Sequence, residues 1–101
     1  MIVNTTFVVN NDITAKWQKW LKTMFATSAS DAGMSDMLVM KVVGAPSEAE
    51  GAATFAVQLR GDAARCGMWT DNGLPAILSK MGLIWGEKAL HFTTVMEEVE
   101  L

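Results

Sequence analysis

The chain reads as two strand–helix–strand halves of similar length, and that order constrains its fold more than any other feature. Each half pairs a strand-like apolar alternation with a stretch of helical period. The expected order is therefore βαββαβ, a ferredoxin-like split-βαβ sandwich. Such a chain is α+β in class, an antiparallel four-stranded sheet with its helices on one face. The other face has no helix to cover it and is left for a partner or a ligand.

The first strand is expected over Ile2 to Val9, rich in Ile, Val, Thr and Phe. Asn10, Asn11 and Asp12 end it and offer caps for the next element. A helix follows from Ile13 into Thr27, with Ile13, Trp17, Trp20, Leu21, Met24 and Phe25 on one face and Lys16, Lys19 and Lys22 on the other. Small and polar residues from Ser28 to Gly33 read as a loop. The second strand is expected over Met37 to Val43 and the third over Ala53 to Arg60, where the alternation is clearest.

The second helical region reads as interrupted. Asp62 caps a short helix through Trp69, Asp71-Asn72-Gly73 breaks it, and Pro75 sits in the first turn of a second helix. Leu74, Ile77, Leu78, Met81 and Trp85 form the stripe of that second helix, and Gly86 ends it. The last strand is expected over Lys88 to Val99.

In a ferredoxin-like sheet the strands lie in the order 4-1-3-2. If Phe55, Val57 and Leu59 face the helices, Thr54, Gln58 and Arg60 face away. The same alternation turns Leu90 and Phe92 inward and His91 and Thr93 outward. Ile2, Asn4, Thr6 and Val8 form the more polar set of the first strand and are expected on the open face. That face is then too apolar in places for bulk water and too polar for a dry core. The mixture suits packing on a second copy, with a cleft between the two.

At 101 residues the chain is expected to be one domain, 1–101, with no room for a second core. Half of its residues are hydrophobic, which on so short a chain argues for a buried interface in a homodimer. The net charge is −3 and the basic residues do not cluster, so nucleic acid is not an expected partner. No apolar run is long enough to cross a bilayer, so no membrane role is expected. The start lacks a basic segment before its apolar residues and reads as a strand. A single cysteine, Cys66, fits a reducing cytoplasm and an inert buried thiol. One His and one distant Cys do not make a metal site, and no cofactor motif is present, so neither group is expected.

The two ends carry a resemblance. The start Met1-Ile2-Val3-Asn4-Thr5-Thr6-Phe7, the helix with Trp17 and Trp20-Leu21, and the stretch from Trp85 through Gly86, Lys88, Leu90 and Phe92 to Thr94 are similar to the bacterial domain-of-unknown-function family 4286. The segment Asp62 to Leu74, with Gly67 and Gly73, departs from that pattern. The resemblance implies a short ferredoxin-like protein with no catalytic residues to carry over. Its architecture is similar to that of dimeric α/β barrels, which include cofactor-free monooxygenases.

His91 is the only histidine, the residue type that changes charge near neutrality. With Asn4, Gln58 and Arg60 it is expected to line the cleft on the open face, although no carboxylate is obviously placed to orient its ring. Trp69, beside the helix break, is expected to be partly exposed and to touch a ligand or partner. The preferred reading is a non-catalytic homodimeric module that self-associates or binds a small apolar or aromatic ligand through the open face. The alternative is a small cofactor-independent enzyme of the dimeric α/β-barrel, monooxygenase-like type with its cleft around His91.

Overall fold

A computed structural model describes residues 1–101. Four strands, β1 (Ile2–Asn10), β2 (Ser35–Lys41), β3 (Ala52–Arg60) and β4 (Ala89–Met96), form one antiparallel sheet in the order β2-β3-β1-β4. Two helical arms connect β1 to β2 and β3 to β4, so the order is the ferredoxin-like βαββαβ.

The first arm comprises α1 (Thr14–Trp20), a π-helical turn at Leu21–Phe25 and α2 (Ala26–Asp31). It runs through Ser28–Asp31, where a loop was expected. Ala29 there is buried, and the polar neighbours Thr27 and Ser30 face solvent, so packing overrides their weak propensity. The arm gives way to β2 only where Gly33 takes φ +81°. The π turn places an extra residue in the helix and rotates its faces. Phe25 is buried, whereas Met24, expected on the same stripe, is 49% exposed.

The second arm is likewise continuous: α3 (Ala63–Met68), a π turn at Trp69–Gly73 and α4 (Leu74–Trp85). Asp62 caps α3 as expected, its Oδ1 accepting the Arg65 N–H at 2.8 Å. The break expected at Asp71–Gly73 is instead this widened turn. Pro75 has no N–H to donate, and its ring crowds the preceding turn; a π turn opens that turn without ending the helix. In each π turn a threonine takes up a carbonyl one turn earlier. Thr23 Oγ1 donates to the Lys19 carbonyl at 2.8 Å, and Thr70 Oγ1 to the Cys66 carbonyl at 3.0 Å.

One core of 20 buried residues lies between the sheet and the helices. Trp17 sits at its centre, 5.1 Å from the Phe7 ring and 5.0 Å from that of Phe55. Phe25 and Trp69 bring the two π turns together, meeting edge-on at 5.6 Å. Trp69 is fully buried, which corrects the expectation of partial exposure. Gly73 makes that placement possible, since a Cβ there would lie 2.6 Å from Trp69 Cε3.

The facing of β1 and β3 is as the alternation indicates. Val3, Thr5, Phe7 and Val9 point to the helices, as do Ala53, Phe55, Val57 and Leu59. The facing of β4 is reversed. Partners across an antiparallel pair share a face. His91 pairs with Phe7 and Thr93 with Thr5, so both lie on the helix side; Leu90, Phe92, Thr94 and Met96 lie on the open side. The expectation failed because β4 is an edge strand on which only Ala89 is buried. Its register on β1 sets its facing, and its more apolar alternate set turns away from the core.

Candidate functional site

The open face can be read as four rows running across the sheet. Met40, Ala56, Thr6 and Phe92 form one row, and Leu38, Gln58, Asn4 and Thr94 the next. Ser35, Arg60, Ile2 and Met96 lie beyond the second row. Thr54, Val8 and Leu90 lie beyond the first, with Val42 donating its N–H to the Thr54 carbonyl at 2.8 Å. The polar groups therefore concentrate in the Gln58–Asn4–Thr94 row, and large apolar side chains stand around it. Phe92 is 59% exposed, Leu90 54% and Leu38 53%, with Met40, Val42 and Met96 also exposed.

Within the polar row, Asn4 Nδ2 donates to Thr6 Oγ1 at 3.1 Å. Asn4 Oδ1 is buried and has no partner. A buried acceptor without a donor is uncommon in folded proteins. Arg60 is turned to the rim, its Nη1 3.0 Å from Glu98 Oε1 in an exposed ion pair. Asn4, Gln58 and Arg60 thus share the open face as expected.

His91 does not join them. It lies on the opposite face, in a groove of about 510 Å³ between β4 and α4. Leu74, Pro75 and Leu78 form its apolar wall, and Thr70, Ser79 and Thr93 add hydroxyls. Thr93 Oγ1 is already 3.1 Å from Thr5 Oγ1. A smaller hollow of about 330 Å³ shares His91 and Leu78 and reaches Met81 and Glu87. The three ion pairs of the chain, Arg60–Glu98, Arg65–Asp62 and Lys88–Asp12, leave His91 out. This groove escaped the sequence reading. The spacing of Pro75, Leu78 and Ser79 places them along α4, but only the register of β4 brings His91 opposite them.

The remaining candidates are structural. Trp69 packs in the core with its Nε1 unpartnered, out of reach of a surface ligand. Cys66 is buried and its Sγ donates to the Gly61 carbonyl at 3.5 Å. No three His, Cys, Asp or Glu side chains gather as metal donors, and no helix is long and apolar enough to cross a membrane.

The model of a domain of unknown function, DUF4286, matches residues 1–99, so the chain belongs to that family. No curated protein matches it.

Proposed function

We propose that this DUF4286 protein is a non-catalytic homodimeric module that self-associates through its open sheet face. The observation that carries the reading is the set of exposed large apolar side chains, Leu38, Met40, Leu90, Phe92 and Met96, around the Asn4 row. Isolated exposed apolar residues need no explanation, but two bands of them flanking one sheet face, on β2 and on β4, do. The size of the face supports the same reading. Four strands about 4.8 Å apart and some eight residues long, at about 3.3 Å each, project roughly 500 Å². A side-chain-studded face has more accessible area than its projection, which approaches the ~800 Å² per partner of a standard interface.

A small apolar or aromatic ligand held between two copies against Leu38, Met40, Leu90 and Phe92 is the ligand-binding form of the same reading. The free buried thiol of Cys66 suits a reducing, cytoplasmic setting.

The test compares two single substitutions. Leu38→Asp puts a charge in the face, whereas Leu83→Asp puts one at an exposed apolar position of α4. By light scattering the first should halve the solution mass and the second should leave it unchanged. Equal masses for both variants and the parent contradict the reading.

One observation favours a second reading, a small cofactor-independent enzyme. The His91 groove falls within the ~300–1,000 Å³ typical of ligand sites and carries both hydroxyls and an imidazole. In that reading the cleft is the α4–β4 groove, without Asn4, Gln58 or Arg60. It requires turnover of a small molecule that His91→Gln abolishes.

A further inference from the structure

We propose that the free edge of β4 is a second self-association surface, on which another copy adds its own β4 antiparallel, with Thr93 on the two-fold axis. Three observations converge on it.

The first is a contrast between the two edges of the sheet. Natural edge strands are blunted by charges, bulges or irregular backbone against unwanted pairing. Edge strand β2 has these devices: Asp36 and Lys41, a register shift between Ser35 and Leu38, and Asp36 at φ +54°. Edge strand β4 has none. It pairs regularly with β1 from Ala89 to Met96 and carries no Asp, Glu, Lys, Arg or Pro. Its outer row of backbone N–H and C=O groups matches only another extended chain.

The second is the space beside that edge. The α4–β4 groove opens on the helix side, where His91 and Thr93 point. An added strand would hang its own helix-side residues there, against Leu74, Pro75 and Leu78.

The third is self-complementarity, which selects a second copy as the occupant. Directly opposed residues must share a face, so the axis passes through a residue. With Thr93 on the axis, Phe92 meets the partner's Thr94, His91 meets the partner's Val95, and Leu90 meets the partner's Met96. Each is a compatible cross-strand pair with no like charges opposed. Just beyond the strand ends, this register brings Lys88, the last residue of the 3-10 turn at Gly86–Lys88, to the neighbourhood of the partner's Glu98, two residues past Met96. Lys88 is already paired with Asp12 at 2.8 Å, and Glu98 with Arg60 at 3.0 Å. Each end of the new pairing would therefore be an alternating row of four charges, Asp12, Lys88, the partner's Glu98 and the partner's Arg60. Moving the axis to Phe92 would set Lys88 against the partner's Met96 and lose this match.

Edge pairing leaves both open faces on the same side, so it is compatible with face-to-face association and does not depend on it. Together the two contacts would join face-paired dimers through their edges.

Disulfide trapping tests the register. Directly opposed Cα atoms in an antiparallel pair lie about 4.5–5.5 Å apart, within the range a disulfide spans. Cys66 is buried and contributes little background. Under mild oxidation Thr93→Cys should give at least a ten-fold higher yield of linked two-chain species than Thr94→Cys. Adding Lys88→Glu should lower that yield, and adding Glu98→Lys to it should recover only part of the loss, because the swap renews the cross-strand pair but sets each new charge beside a like one, Asp12 or Arg60. In the Leu38→Asp background the linkage should persist, which separates this contact from the open-face one. Equal yields from Thr93→Cys and Thr94→Cys, or no linkage from either folded variant, overturn the proposal.

Discussion

Replacing Trp17 by alanine tests the packing argument at its centre. The side chain is fully buried and lies about 5 Å from the rings of Phe7 and Phe55. Those rings are held by β1 and β3 and cannot collapse into the vacated volume. The loss should therefore fall in the upper part of the ~3–5 kcal/mol range for removing a buried Trp or Phe. That is a large share of the ~5–15 kcal/mol that stabilises an ordinary domain. At roughly 4–8 °C per kcal/mol for a chain of this size, the thermal midpoint should fall by at least about 12 °C. Trp17→Phe separates packing from polarity. Trp17 Nε1 is buried without a partner. Deleting that N–H removes a desolvation penalty of about 1–3 kcal/mol, which offsets part of the cavity left by the smaller ring. Trp17→Phe should cost less than half as much as Trp17→Ala. The assay is thermal and urea denaturation at one fixed protein concentration, because self-association makes the midpoint concentration-dependent. An unchanged midpoint for Trp17→Ala would refute the core placement. Equal losses for the two variants would show that the indole N–H is satisfied.

Two further predictions concern the second helical arm. Gly73→Ala puts a Cβ 2.6 Å from the Trp69 ring and should destabilise by about 1–3 kcal/mol through overpacking, seen as a lower urea midpoint. Asp62→Ala removes the side-chain acceptor for the Arg65 N–H and should cost about 0.5–2 kcal/mol in the same assay, with Asp62→Asn recovering most of it.

Much of the fold was legible because its strong signals agree with one another. The alternation in β3, the Asp62 cap and the stripe through Trp17 and Trp20 each pointed to the element that forms. The strand order followed from the βαββαβ pattern. The two π turns were not legible, because an extra helical residue leaves no periodic mark in so short a window. Their effects were the misplaced Met24 and the buried Trp69. The facing of β4 was misread for a different reason. Alternation identifies two faces but says which is inward only where one of them is covered, and both faces of β4 beyond Ala89 are exposed. Asn4, Gln58 and Arg60 were placed on the open face because their strands are anchored by Phe7 and Phe55. His91 was not, because its strand is anchored only by pairing with β1.

The central claim is that the open sheet face is an interface, and the solution mass of the unmodified protein tests it most directly. Light scattering at low micromolar concentration should give at least twice the 11.0 kDa chain mass, two chains from the open face alone and a higher even number where the β4 edges also pair, and Leu38→Asp should halve it. A mass of one chain that holds as the concentration is raised would contradict the claim.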